Sequence, residues 1–76
     1  DLDYGCCRAI GNRAFHRDPQ AVAALAQALC AGMAEAGMGC VGKHFPGHGF
    51  VEADSHHDVP VDERDFDTLW AEDIAP

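Results

Sequence analysis

Residues 38–49 read MGCVGKHFPGHG, and the rest of the chain is organised around this stretch. Its first part, Met38–Phe45, is short, mostly apolar and bounded by glycine and proline. Such a run is typical of a buried strand in a parallel sheet, although its length alone does not separate a strand from a piece of buried helix. We predict a strand over Met38–Phe45, followed by a loop from Pro46 to about Asp62 that is rich in glycine and polar residues.

A helix is predicted immediately before this strand, from Pro19 to about Ala36. Asp18 can cap its first free amides, and proline suits the first helical position because it has no N–H to satisfy. Gly37 supplies the left-handed residue that commonly ends a helix. Apolar side chains recur at helical spacing along one face, at Val22, Leu25, Leu29 and Met33. This face predicts a helix that packs against something larger.

A second helix is predicted from about Asp65 to Pro76, with several apolar side chains on one side. Residues 1–18 have no period and predict a long loop. The resulting order of loop, helix, strand, loop and helix cannot close a sheet, because it holds a single strand. It is typical of a segment cut from a repeating strand–helix protein, so the predicted fold class is α/β.

The net charge of −8 lies entirely in the last third of the chain. Residues 52–76 hold nine acidic side chains against Arg64 alone, and the charges of residues 1–51 balance. Nucleic acid and anionic membranes bind cationic surfaces, so neither is an expected partner. Apart from Asp54, we expect these carboxylates to lie on the solvated surface. No run approaches the ~18 consecutive apolar residues of a membrane span.

The four cysteines are Cys6, Cys7, Cys30 and Cys40. The start of the chain has no basic region followed by an apolar stretch, the pattern of a secretory leader. We therefore expect reduced thiols in a cytosolic compartment. Cys30 and Cys40 stand among apolar residues and are predicted to be small core residues.

Two glycine patterns are similar to phosphate-binding loops. Gly37, Gly39 and Gly42 have the dinucleotide spacing, and Gly42-Lys43 fits a P-loop whose final hydroxyl residue is replaced by histidine. Both motifs need a strand before the glycines and a helix after them, so that helix amides face the phosphates. Here the predicted helix comes first. We therefore expect no nucleotide site and no cofactor.

A metal site is an alternative interpretation of the same region. Cys40, His44 and His48 are spaced by four residues, and His56 and His57 follow. Thiolate and imidazole are zinc ligands, and a loop could gather them into a small metal-binding module. A proline and a glycine interrupt the spacing, so it does not define one helical face. We keep this module as an alternative and predict no metal ligand.

The sequence Asp54-Ser55-His56 indicates an acid/base pair. A carboxylate two residues before a histidine can accept a hydrogen bond from one imidazole nitrogen, which leaves the other nitrogen free to transfer a proton. Lys43 and His44 stand at the carboxyl end of the predicted strand, where α/β proteins place their ligand contacts. An Asp-x-His pair alone is common in loops, but the preceding motif makes catalysis the favoured interpretation.

The runs Lys43–Gly49 and Asp54–His56 together resemble the signature of bacterial β-N-acetylhexosaminidases of glycoside hydrolase family 3. The run Ile10–Phe15, followed by Asp18-Pro19, resembles the segment before the matching helix of that family. The resemblance covers essentially all 76 residues. It implies a fragment of a (β/α)₈ barrel of about one and a half βα units, with residues 1–76 forming part of the N-terminal domain.

The same resemblance implies a retaining exo-β-N-acetylglucosaminidase of the bacterial cytoplasm, which removes terminal N-acetylglucosamine from peptidoglycan-derived muropeptides. By position, His56 is similar to the general acid/base and Asp54 to its orienting partner. Arg13, Lys43 and His44 are similar to contacts with sugar hydroxyls. The aspartate nucleophile of the family would lie beyond the last residue, so the chain alone is expected to be inactive.

The resemblance also implies a small carbohydrate as the partner, a monomeric full-length protein and no cofactor. A second enzyme alternative is a β-glucosidase of the same family. The run Pro46–Gly49 and the loop Asp54–His56 favour the N-acetylglucosaminidase branch, because the glucosidases generally use a carboxylate acid/base from elsewhere.

Overall fold

The computed structural model describes all 76 residues and contains two helices and no β-strand. Helix α1 spans Pro19–Glu35, and helix α2 spans Phe66–Leu69 and continues into a π-helical turn over Trp70–Ile74. The predicted strand Met38–Phe45 is wrong for this chain, because a strand forms only when a neighbouring segment accepts and donates its backbone hydrogen bonds. No other segment of the 76 residues pairs with it. The α/β class is therefore not realised within the chain.

Helix α1 confirms the prediction at both ends, to within one residue. The Asp18 carboxylate accepts a hydrogen bond from the Gln20 amide at 3.0 Å, as an N-cap does. Gly37 follows the helix with φ of 75°, a conformation that favours glycine. No residue of α1 is buried, and Leu25 and Leu29 are about half exposed. The apolar face predicted to pack on something larger is thus uncovered in the chain.

The C-terminal helix begins where the sequence predicts but is not uniform. Asp65 caps it by accepting a hydrogen bond from the Thr68 amide at 2.8 Å. After Leu69 the backbone widens, and the Ala75 amide donates to the Trp70 carbonyl at 2.8 Å, as in a π-helix. Neither this segment nor α1 has the length and apolar character needed to cross a bilayer.

The buried core is small and lies under the N-terminal loop. It consists of five residues, Leu2, Cys7, Ile10, His48 and Gly49. The chain extends over 39 × 27 × 17 Å with a radius of gyration of 13.1 Å, whereas a compact domain of this length would have a radius of about 11 Å. So little burial indicates that residues 1–76 are not stable in isolation.

The cysteines do not lie where the sequence predicts. Cys40 is exposed and Cys30 is half-buried, so the prediction that both are core residues is wrong. The buried cysteine is Cys7, which the sequence gives no reason to choose because the loop around it has no period. All four thiols are free.

Arg64 gathers much of the acidic last third around itself. Its guanidinium contacts Asp62 at 2.6 Å, Asp73 at 2.5 Å and Glu72 at 3.2 Å. The Asp73 side chain is only 2% exposed, so the expectation that these acids lie on the surface is wrong for Asp73, whereas Asp62 and Glu72 are partly exposed. The hydrogen bonds to Asp62 raise the pKa of Arg64 and lower that of Asp62.

Tyr4 joins this cluster from the other end of the chain. Its hydroxyl donates to Glu72 and accepts from Arg64 at 2.8 Å. Burial, with the neighbouring Glu72 carboxylate, raises the pKa of Tyr4 to about 12. Arg64 also lies over the Phe50 ring at 4.1 Å, and Phe50 packs edge-on against Tyr4. The N-terminal loop and the C-terminal helix are thereby held together.

Candidate active site

Asp54 and His56 form the pair that the sequence predicts. The Asp54 carboxylate accepts hydrogen bonds from the His56 backbone amide at 3.0 Å and from His56 Nδ1 at 2.7 Å. The loop closes behind this pair, because the amides of His57 and Asp58 both donate to the Asp54 carbonyl, at 2.9 and 2.8 Å. The His56 side chain is 78% exposed, so its far edge is open to solvent.

The Asp54 carboxylate decides which nitrogen of His56 is available. The hydrogen bonds from the His56 amide and side chain lower the pKa of Asp54, which keeps the carboxylate ionised near neutral pH. An ionised carboxylate can only accept, so Nδ1 of His56 must be the donor. The exposed Nε2 is then the nitrogen that can give or take a proton. This is the arrangement of an orienting group and a general acid/base.

His44 is held by a residue that the sequence analysis missed. Asp1 accepts a hydrogen bond from His44 Nδ1 at 2.7 Å and a weaker one from the His44 amide at 3.2 Å. Its other oxygen accepts from the His48 amide at 2.7 Å. The Asp1 side chain is only 9% exposed, so it is packed into the site and does not extend into solvent. No sequence signal links the first residue to a motif more than forty positions away.

Two opposite influences act on the charge of His44. Burial and the neighbouring Lys43 ammonium lower the pKa of His44. The Asp1 carboxylate opposes this shift, because it stabilises the protonated ring. In either protonation state Nδ1 donates to Asp1, so Nε2 is left to meet a ligand.

The predicted sugar-contacting residues line one cleft. Arg13, Lys43 and His44, together with Asp1, are the charged and polar side chains that line a cleft of about 360 Å³. The remainder of its lining is apolar and includes Val22, Ala26, Leu29 and Met33 on the uncovered face of α1. The Arg13 guanidinium also donates to the carbonyls of Ile10, at 3.2 Å, and Ala9. Neither Asp54 nor His56 lines this cleft or the second one beside it.

His48 is the other residue that the sequence analysis did not assign. It is buried, with Nδ1 at 3.3 Å from the Cys7 sulfur and its ring edge-on to His44 at 5.6 Å between centroids. Its Nε2 is buried without a hydrogen-bond partner. The chain gathers no group of three His, Cys, Asp or Glu side chains able to hold a metal ion. The cysteine and histidines of the metal-module alternative therefore do not converge.

The glycines of this loop allow the chain to pack on itself. A Cβ at Gly49 would overlap the Leu2 carbonyl, and one at Gly47 would lie 2.6 Å from Asp73 Oδ1. Neither glycine has a positive φ. Their role in the structure is to allow close approach to other parts of the chain. The peptide bonds Lys43–His44 and Phe45–Pro46 are cis.

The whole chain, residues 1–76, matches the model of the glycosyl hydrolase family 3 N-terminal domain. The chain belongs to glycosyl hydrolase family 3. A "Beta-hexosaminidase" of Aromatoleum aromaticum is 75% identical over all 76 residues, which span 21% of that relative. The family match agrees with the resemblance carried by the Lys43–Gly49 and Asp54–His56 motifs and not with an independent metal-binding module.

Solved structures of the family contain the same local fold. The crystal structure of native NagZ from Neisseria gonorrhoeae superimposes with a TM-score of 0.90 at 61% identity, covering 99% of this chain and 22% of NagZ. NagZ in complex with N-trifluoroacetyl-D-glucosamine superimposes with a TM-score of 0.91 at the same identity and coverage. This family 3 chain therefore spans about a fifth of the length of the relatives it matches.

Proposed function

We propose that residues 1–76 are part of a retaining exo-β-N-acetylglucosaminidase that removes terminal N-acetylglucosamine from peptidoglycan-derived muropeptides. The observation that carries the proposal is the 2.7 Å bond between Asp54 and His56 in a chain of family 3. Two similarities support the substrate class. Relatives carry the name Beta-hexosaminidase, and NagZ, 61% identical, was crystallised with an N-acylated glucosamine.

The intact protein in this proposal is a (β/α)₈ barrel that acts as a monomer in the bacterial cytoplasm. The uncovered apolar face of α1 supports a larger surrounding fold, because a helix with half-exposed leucines needs a partner layer. The unpaired segment Met38–Phe45 supports it too, since neighbouring barrel strands would supply the missing hydrogen bonds.

In the first chemical step, protonated His56 gives the proton on Nε2 to the glycosidic oxygen as the bond to the sugar breaks. Asp54 stabilises the imidazolium before the transfer and holds the ring in one orientation. A carboxylate nucleophile outside residues 1–76 attacks the anomeric carbon and forms the glycosyl-enzyme. In the second step, His56 takes a proton from the water that releases the sugar, which regenerates the imidazolium.

Arg13, Lys43 and His44 contact the sugar hydroxyls in this mechanism. All three line one cleft, and charged donors there can hold hydroxyl oxygens in a fixed orientation. Asp1 acts on the sugar only through His44, whose ring it holds. The contacts orient the sugar, so the bond to be broken is presented to the acid and the nucleophile.

The proposal is tested with aryl β-N-acetylglucosaminide and aryl β-glucoside substrates, given to the full-length protein and to residues 1–76 alone. We expect the full-length protein to hydrolyse the N-acetylglucosaminide with retention of configuration and to leave the glucoside nearly untouched. We expect no turnover by residues 1–76, since a glycosyl-enzyme cannot form without the nucleophile. Preference for the glucoside would instead establish the β-glucosidase alternative, and inversion would rule out the covalent mechanism.

A further inference from the structure

Two thiols in the apolar lining of the cleft lie next to each other. Cys40 Sγ is 2.7 Å from Cys30 Sγ, with the thiol of Cys40 donating to the sulfur of Cys30. A disulfide bond is about 2.05 Å long, so the sulfurs need to approach by only about 0.7 Å to be joined. Both cysteines are free. Neither is used by the proposed glycosidase mechanism.

The backbone around the pair lets the sulfurs meet. Cys30 lies in the second half of α1, and Cys40 follows the helix end after a turn at Ala36 and Gly37. A Cβ at Gly39 would meet nothing within 4 Å, so this connection has room to adjust. Within residues 1–76 Cys40 is exposed and Cys30 is half-buried, so Cys40 is the thiol that a small oxidant reaches first.

The other two thiols have different neighbours. The Cys6 thiol donates to the Phe50 carbonyl at 3.0 Å, and the Cys7 sulfur contacts His48 at 3.3 Å. These two cysteines are adjacent in sequence, and each is occupied by a separate contact. The chain thus contains one pair of facing thiols and, as an internal comparison, one pair of thiols that do not face each other.

We propose that Cys30 and Cys40 form a two-electron oxidation site, a dithiol that a hydroperoxide converts to a disulfide. The Cys40 thiolate attacks the peroxide, the O–O bond breaks, and Cys40 becomes a sulfenic acid while hydroxide leaves. The Cys30 thiolate then attacks the Cys40 sulfur, the S–S bond forms and the sulfenic oxygen leaves as hydroxide. The two protons that the thiols released on ionisation convert both hydroxides to water. Overall, two thiols and one hydrogen peroxide give one disulfide and two waters.

Cys30 acts second, after Cys40 has been oxidised, because it is the less exposed of the two thiols. The disulfide would fasten the segment before Lys43 to α1, along the wall of the cleft that Arg13, Lys43 and His44 line.

The sequence allows a direct test by mass spectrometry on the full-length protein. Trypsin cleaves after Arg17 and Lys43, so Cys30 and Cys40 fall alone in peptide 18–43. Glu35 is the one acidic residue between them, and a glutamate-specific protease separates the two cysteines there. After hydrogen peroxide treatment, we expect peptide 18–43 to lose the mass of two hydrogens and to stay in one piece after cleavage at Glu35 until it is reduced.

Three controls show whether the fold creates the site. Cys6→Ser should leave the disulfide yield unchanged, and Cys30→Ser should abolish it and leave Cys40 as a reversible sulfenic acid. Disulfide formation should be at least about ten-fold faster in the native protein than in urea, since the fold holds the two sulfurs together. Two alkylatable thiols left in peptide 18–43 after Cys6 has been oxidised would overturn the proposal, as would equal rates in urea.

Discussion

The two halves of the candidate site are built in different ways. The segment 43–49 is fastened by distant parts of the chain, since Asp1 holds His44 and His48, and Cys7 contacts His48. The loop 52–58 is fastened by itself, since Asp54 binds the side chain and amide of His56 two residues on. Changes near the first half should therefore affect folding and sugar binding together. Changes in the second half should affect catalysis alone.

The largest expected effect is the loss of catalytic rate when the loop 52–58 is changed at His56. His56→Ala in the full-length protein should lower kcat for N-acetylglucosaminides with poor leaving groups by about 10²–10⁴-fold, because their oxygen must be protonated as it departs. For substrates with good leaving groups, the rate of the step that forms the glycosyl-enzyme should fall far less. A steady-state series of aryl leaving groups, read with burst kinetics, measures both effects.

The neighbouring histidine is the matched control for that series. His57 has no side-chain bond to Asp54, so His57→Ala should leave the rate within about three-fold of the parent. The melting temperature of His56→Ala should also stay near that of the parent, since the side chain is 78% exposed. An equal loss for every leaving group would argue against His56 as the acid.

Gly49→Ala tests the close packing of the first half. The added methyl would overlap the Leu2 carbonyl in the small core, and relieving that overlap requires the N-terminal loop to move. We expect the free energy of unfolding to fall by about 1–3 kcal/mol, measured by urea denaturation of the full-length protein.

Gly39→Ala is the control for this change, because its added methyl would meet nothing within 4 Å. It should change stability by no more than about 0.5 kcal/mol. If the two variants unfolded at the same urea concentration, the close packing of Gly49 on the N-terminal loop would be refuted.

Asp1→Asn tests whether the N-terminal loop positions His44. An amide keeps an oxygen acceptor but loses the charge and one acceptor site, so stability should fall by about 1.5–3 kcal/mol for the weakened bonds to a mostly buried group. We also expect KM for the N-acetylglucosaminide to rise more than kcat falls, because His44 contacts the sugar and not the bond that breaks.

Asp3→Asn is the matched change on the same loop. Asp3 is exposed, and no hydrogen bond or ion pair of its carboxylate is present in the structure. This variant should retain the KM and stability of the parent. A rise in KM of the same size in both variants would mean that charge in general, and not the Asp1–His44 contact, is responsible.

The smallest expected effect is the acid sensitivity of the loop 52–58. The His56 amide and side chain lower the pKa of Asp54, so the hydrogen bonds stabilise the loop above the ordinary carboxyl pKa and are lost as the pH falls through the lowered value. A ¹³C titration of the Asp54 carboxyl should give a midpoint below the ordinary 3.8.

His56→Ala separates the two contributions to that midpoint. The backbone N–H at position 56, the largest cause of the shift, remains, and the side-chain bond is removed. The midpoint should therefore rise but stay below the ordinary value. A complete return of the midpoint to the ordinary carboxyl value would show that the His56 side chain alone lowers the pKa of Asp54.

The sequence predicted what is local and missed what is distant. Helix α1 with its Asp18 cap and the Asp54–His56 pair were predictable, because each depends on residues two to four positions apart. The contact of Asp1 with His44 spans 43 positions, and no pattern in one sequence records it. The prediction of a strand over Met38–Phe45 was wrong for a related reason, since an apolar run forms a strand only beside a partner segment.

The Arg64 cluster shows the same limit from another side. The excess of nine acidic residues over one basic residue predicted a solvated surface. That inference holds only if Arg64 does not bind several of the acids at once. Instead Arg64 collects Asp62, Glu72 and Asp73 and carries them against Tyr4. The count of charges cannot reveal such a cluster, because its members come into contact only in the folded chain.

The contact of Tyr4 with Arg64 and Glu72 also makes neighbours of the two ends of the chain, and Asp1 and Pro76 border one cleft. Tyr4, Arg64 and Glu72 therefore form one seam between the N-terminal loop and the C-terminal helix. In a chimera of two family members, these three residues would have to be exchanged together, because each contacts the other two.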